Sequence, residues 1–296
     1  MHQKSIEEAK KRLFRGELVI FPTETVYGIG GNANNRKSIE LIYKTKNRPI
    51  NNPLICHFAN MEEIEKNFIL KDKDYELANT FWPGPLTLIL EKKINSMISP
   101  LLSNNKNQVG CRIPNNKISL SLLSIIDFPI AAPSANIATR TSVTSIEDLD
   151  YKLKEIFYID GGSSVLGLES TVIKTTKNGC KILRLGSLTI EDIKIKFPKY
   201  EISIDQSDVS PGNQLKHYSP IKPIRINVNF VNKNETLLNF GINELTSDIK
   251  SLNLSINENL SDASYNFYNY LNILDNISCN GIAVAPIPYQ GLGKTI

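Results

Sequence analysis

Several short segments of this chain gather hydroxyls, carboxylates and cations at the ends of apolar runs. FPTETVYGIGGN, residues 21–32, follows the apolar ELVIF run with Thr23, Glu24, Thr25, Tyr27 and three glycines. KTKNRPINNPLICHF, residues 44–58, crowds Lys44, Lys46 and Arg48 ahead of an apolar stretch that contains His57. VGCRIP sets Arg112 among strand-type residues, where a cation is costly unless it is paired. AAPSAN carries Ser134 and Asn136, and GLESTV carries Glu169, Ser170 and Thr171. Each segment also has an ordinary reading. The hydroxyl clusters can be turns, the cations can complement a helix C-terminus, and His57 can be a satisfied inward histidine. Together they suit a ligand with both a carboxylate and phosphates, such as an amino acid plus ATP. Arginine would offer a planar fork and lysine a point charge.

Two familiar nucleotide motifs fail on spacing. GLGKTI resembles a phosphate loop, but the position five before Gly293 is Pro288 rather than glycine. YGIGGN breaks the dinucleotide fingerprint because Ala33 stands three after Gly30. A nucleotide site here must be built differently.

The elements that would position these groups alternate between the two periods. Ser5-x-x-Glu8 reads as a capping box, with Ile6, Ala9 and Leu13 at helical spacing up to Gly16. ELVIFP reads as a strand and PTETVYGIGGN as the loop after it. Helical stretches (38–47, 61–68, 74–81, 119–126, 145–153) then alternate with strands (53–58, 85–92, 107–114, 128–134, 155–160). Residues 170–186 read as a hairpin with Asn178-Gly179 at its tip, and a helix follows with Thr189-x-x-Asp192 near its start. This order argues for an α/β domain on a large, mixed, twisted open sheet with a basic concave site. DQSDVSPGNQLKHYSPIKP has linker composition. Strands at 223–229 and 281–288 flank a partly helical stretch, 240–275, and suggest a small C-terminal α/β domain. The divisions read as 1–207, a linker or lid at 208–222, and 223–296.

Composition narrows the classes. The 296 residues carry 34 Lys+Arg against 30 Asp+Glu, a net charge of +4, too mild to imply nucleic-acid binding by charge alone. Cys56, Cys111, Cys180 and Cys279 form no C-x-x-C pair and read as free thiols in a reducing cytosol. No apolar stretch has signal-peptide or membrane-span length, so a cytoplasmic protein is expected.

PTETVYGIG, the Lys46/Arg48 pair with PxxNPL, VGCRIP, PSAN, LESTVI, LRLG and SPGNQLKHYSP resemble, in order and spacing, the two-domain threonylcarbamoyl-AMP synthases. The likeness spans most of residues 5–225. It implies that threonine and bicarbonate give a carbamate, which attacks the α-phosphate of ATP and expels pyrophosphate. The product would pass to a tRNA threonylcarbamoyltransferase complex that modifies the adenosine next to the anticodon. By position, the resemblance puts Thr25, His57, Arg112, Ser134 and Ser170 around threonine. It puts Lys46, Arg48, Asn52, Gln108, Ala132, Asn136, Ser142, Arg184 and Tyr218 around ATP. Lys46, Arg48 and Arg112 would carry catalysis by neutralising charge. Mg²⁺ would be held through the ATP phosphates, with no protein metal site.

Leu185 and Val143 stand where the family usually has proline; the first would alter only loop stiffness, and the second leaves Ser142 the least supported of the ATP assignments. Family members usually continue past a motif like GLGKTI into another helix, so a truncated second domain is a further expectation. One rival reading is a module binding double-stranded RNA or tRNA without catalysis, and weak RNA binding is expected even of the enzyme. No cationic stripe with interleaved aromatics supports that rival. Another rival is carbamoyl-adenylate chemistry in hydrogenase maturation, which needs cysteine-rich zinc modules that four scattered cysteines cannot build.

Overall fold

A computed structural model of the chain describes residues 2–104, 106–205 and 218–296. Helix α1 (His2–Phe14) buries Ile6, Ala9 and Leu13, as its spacing predicts, but it starts at His2, so Ser5 lies inside the helix. Strand β1 (Val19–Phe21) pairs antiparallel with β2 (Gly28–Asn32). The glycine-rich segment predicted as loop is therefore strand, and packing explains its glycines. A methyl on Gly30 would stand 2.4 Å from Ile130 Cγ2 and 2.7 Å from the Phe21 ring.

The chain continues through α2 (Arg36–Lys46), β3 (Ile55–His57), α3 (Met61–Asn67), β4 (Phe68–Ile69), α4 (Asp72–Phe81) and β5 (Leu86–Lys92). Next come β6 (Gln108–Arg112), α5 (Lys117–Ser124), β7 (Ile130–Ala131), β8 (Thr171–Thr175), β9 (Gly179–Arg184), α6 (Ile190–Lys196) and β10 (Glu201–Ile204). One mixed sheet has the order β1-β2-β7-β3-β6-β5-β8-β9-β10, with β4 on β5. Its main core joins Ile39 and Ile42 of α2 to Ile29, Cys56, Leu88, Cys111 and Ile173. A second cluster seals α1 and α5 against Val19, Phe21 and Ile130.

Register then determines where the chemistry sits. β3 and β6 run parallel with His57 opposite Arg112, and β7 sets Ile130 against His57. β5 and β8 run parallel with Leu86 opposite Thr171, which brings Ser170 beside the same strand ends.

Two local expectations fail. Residues 145–153 form two single 3₁₀ turns, Ile146–Asp148 and Tyr151–Leu153, instead of a helix. Asp148 accepts from Thr144 and Ser145 hydroxyls, and Asp150 accepts from the Lys152 amide, so short polar side chains compete with helix formation. Residues 155–160 form one bridge, Ile20 to Tyr158, rather than a strand. At the hairpin, Gly179 opens β9, where a methyl would meet Glu201 O at 2.3 Å.

The second unit has β11 (Ile224–Arg225), β12 (Glu235–Asn239), β13 (Ser251–Asn253), α7 (Leu260–Asp275) and β14 (Gly281–Val284). Its sheet, β11-β14-β12-β13, is parallel throughout, and α7 packs Leu271 and Leu274 against Leu238 and Ile282. The strands expected at 223–229 and 281–288 are present as the shorter β11 and β14; β12 and β13 were not anticipated. Most of the linker expected at 208–222 lies outside the described residues. Cys56, Cys111 and Cys180 are buried and all four cysteines are free. Among the described residues no helix is long and apolar enough to cross a membrane.

Candidate active site

The loop 22–27 leaves β1 and is held by its own hydroxyls. Thr23 Oγ1 donates to Val26 O at 2.6 Å and accepts from the Thr25 and Val26 amides. This fold-back aims Thr25 Oγ1 at Arg112, whose Nη1 donates to it at 2.9 Å. Arg112 Nε donates to Gly84 O at 3.2 Å, and Nη2 stands 2.7 Å from Glu24 Oε1. Both partners of that ion pair are about 95% buried. The Glu24 oxygens lie out of hydrogen-bond alignment with the guanidinium, so the contact is one of charge. The buried cation is thus paired, as its place in a strand demands.

His57 is buried beside Arg112, with its Nδ1 unpartnered and its ring edge-on to Phe21. Burial, reinforced by the Arg112 charge, pulls its pKa down to about 3, so it is a neutral imidazole at physiological pH. Ser170 Oγ pairs with Thr87 Oγ1 at 2.8 Å and accepts from Arg184 Nη2 at 3.0 Å. Arg184 also donates to Ser170 O at 2.7 Å and to the Tyr218 hydroxyl at 3.1 Å. Burial pushes the Tyr218 phenol up to about 12.

Arg48 donates from Nε to Asn52 O and from Nη2 to Asn52 Oδ1 and Pro53 O, at 2.6–3.1 Å. Burial lowers its pKa to about 10, and the neighbouring Arg184 charge adds to that lowering. Lys46 is 1% exposed. Its Nζ donates to Ser134 O at 2.6 Å, to Asn136 O and to Asn136 Oδ1, and burial lowers its pKa well below the usual lysine range.

These segments converge. Thr23, Thr25, Arg48, His57, Arg112, Ala132, Ser134, Glu169, Ser170, Arg184 and Tyr218 all line one cavity of about 60 Å³. That is room for roughly four to six waters. A neighbouring cleft of about 470 Å³ shares Pro53 and Ile55 with it and holds Gln108. A third recess, of about 80 Å³, shares Arg48 and Ser134 with the first and holds Lys46, Asn52 and Asn136. Ser142 is buried behind the cavity wall, where its hydroxyl donates to Glu169. Among the described residues no group of three or more His, Cys, Asp or Glu could hold a metal ion.

Several contributors escaped the sequence reading. Thr23, Glu24 and Glu169 stood in motifs already singled out, so their signal was present. Thr87 and Tyr268 had none: each reaches the site only through tertiary packing, Tyr268 by donating to Glu169 Oε2 at 2.9 Å.

A mixed-sheet α/β domain with an arginine- and hydroxyl-lined cavity at its strand ends, joined to a small parallel α/β unit, defines a two-domain class. Residues 11–186 match the Sua5/YciO/YrdC family model, described as telomere recombination, and residues 188–296 match the threonylcarbamoyl-AMP synthase C-terminal domain. The chain belongs to the threonylcarbamoyl-AMP synthase family. A threonylcarbamoyl-AMP synthase of Pyrococcus abyssi is 39% identical over 232 residues, 73% of this chain and 67% of that protein. One of Bacillus subtilis is 38% identical over 231 residues, 75% of this chain and 66% of that protein. The aligned part thus spans about two thirds of each relative. The crystal structure of P. abyssi Sua5 complexed with L-threonine superposes with a TM-score of 0.87 at 30% identity, covering 100% of this chain and 92% of that one.

Proposed function

We infer that the protein forms L-threonylcarbamoyl-AMP and pyrophosphate from L-threonine, bicarbonate and ATP. The observation that carries this reading is the convergence of Thr25, His57, Arg112, Ser134 and Ser170, from five separate segments, on a cavity that also bears Arg48 and Arg184. Threonine occupies the small cavity, with Arg112 facing its carboxylate and the hydroxyls and His57 reading its side chain. The Glu24 contact fixes Arg112 in place beside the cavity.

ATP extends from that cavity into the adjoining cleft, its phosphates between Arg48 and Arg184 and its base toward Gln108. Asn52, Asn136 and Lys46 shape the recess beside the phosphates. Lys46 does so mainly by clamping the Ser134 and Asn136 carbonyls. Ser142 lies behind the wall and reaches the site only by donating to Glu169, on the threonine side. Mg²⁺ arrives with the nucleotide, bound to its phosphates. Tyr218 closes one side, on the linker we assign to residues 208–222 between units 1–207 and 223–296.

The chemistry requires little covalent help. Threonine's amine takes up the carboxyl carbon of bicarbonate with loss of water, and a carbamate oxygen displaces pyrophosphate from the α-phosphorus. The protein's contribution is to align an unstable carbamate, exclude water and offset charge with arginines. The product then serves a tRNA-modifying complex, in a cytoplasmic setting that suits three buried free thiols.

Pyrophosphate release from ATP and Mg²⁺, with threonine and bicarbonate omitted in turn, tests the reading. Release that needs both supports it. Release with neither indicates a pyrophosphohydrolase. No release from folded protein, with salt-sensitive RNA affinity, would favour an RNA-binding module instead.

A further inference from the structure

Glu169 is the single carboxylate among the described residues that line the cavity, set with Arg48, Arg112 and Arg184. Its place is odd for a site that receives anions. Threonine's carboxylate, bicarbonate and ATP are all negative, and like charges facing one another in a buried site are costly. It forms no ion pair with Arg184, whose donors go to Ser170 and Tyr218. The one substrate group that offers N–H donors and positive charge is the amine of the amino acid.

The carboxylate is held from two sides. Ser142 Oγ donates to Oε1, and the Tyr268 hydroxyl donates to Oε2 at 2.9 Å. Tyr268 belongs to α7 of the second unit and is almost fully buried. Burial holds its phenol well above the usual range, so it remains a donor. The backbone is fixed as well: Glu169 O accepts from the Ser187 amide at 2.8 Å, and a methyl on Gly186 would stand 2.4 Å from that oxygen. Each carboxylate oxygen accepts one of these hydroxyls and keeps capacity for another donor. A buried carboxylate with fixed geometry and open lone pairs is an ammonium or amine receptor.

We propose that Glu169 recognises the amine of the amino-acid substrate and that Tyr268, supplied by the second domain, is the positioning residue that fixes its carboxylate. The small α/β unit thereby contributes directly to substrate selection. This inference rests on the functional reading above.

Calorimetric titration of the full chain with L-threonine, with 2,3-dihydroxybutyrate (a hydroxyl in place of the amine) and with ATP tests it. Wild type should prefer threonine. Glu169→Gln should lose threonine affinity about 10- to 150-fold while binding the hydroxy analogue as before. Tyr268→Phe, which keeps the ring, should lose about 2- to 12-fold for threonine with ATP affinity unchanged. A defect that is only structural would weaken all three ligands together. That outcome overturns the proposal, as does unchanged threonine binding in Glu169→Gln. Wild type that binds no threonine and releases no pyrophosphate overturns the functional reading itself.

Discussion

The Arg112–Glu24 pair sets what a substitution at the site can report. Removing one partner of a buried ion pair leaves the other charge uncompensated and costs about 3–5 kcal/mol. Arg112→Ala is therefore expected to abolish pyrophosphate release and also to lower stability by roughly that amount. Urea melts run beside the assay separate the two effects; retained activity in a folded variant would remove Arg112 from the site. His57 makes a second prediction. Its pKa is about 3 in the folded protein and about 6.5 in an unfolded chain. Below 6.5 the unfolded state takes up a proton that the folded state refuses. The stabilisation is therefore complete above pH 6.5 and is lost as pH falls toward about 3, by about 1.4 kcal/mol per pH unit. His57→Gln should flatten that part of the stability–pH curve; an unchanged slope would mean the imidazole is not held neutral.

At the scale of elements, β2 shows how a ligand-like motif can be a packing device. Gly30 touches Ile130 and Phe21 so closely that a methyl has no room. Gly30→Ala should cost about 1–3 kcal/mol by overpacking, read as a lower urea midpoint with threonine affinity little changed in the folded fraction. A neutral result would mean that β2 and β7 can separate without strain. The cap at α6 was legible beforehand: Thr189 and Asp192 exchange hydrogen bonds across the first turn, as their spacing predicts. The turn region 145–153 was not, because its apolar spacing suits a helix while its Thr, Ser and Asp side chains satisfy the backbone locally.

Across the whole molecule, α7 lies against the loop that carries Glu169. Thr141 donates to Asn272, Thr295 to Gly186 O, and Lys294 pairs with Glu191 at 2.9 Å. Gly167 meets α7 directly, with φ of +72° and a missing methyl that would stand 2.1 Å from Ser264 O. Gly167→Ala should cost at least about 1–2 kcal/mol from the left-handed backbone alone and push α7 outward. Amide hydrogen exchange over 260–275 should then accelerate; protection equal to wild type would show that the contact gives way without moving the helix.

The residue types, their order along the chain and the alternation of strand and helix were determined by sequence alone. So was the kinship they carry, because hydroxyls, cations and strand-forming runs declare themselves locally. The tertiary structure decided which groups share a cavity. Strand register set His57 beside Arg112, and the parallel pairing of β5 with β8 brought Ser170 alongside. Packing of α7 brought Tyr268, from a stretch with no local signal, to Glu169 some 99 residues earlier. Such contacts join positions far apart in the chain, and no local spacing encodes them.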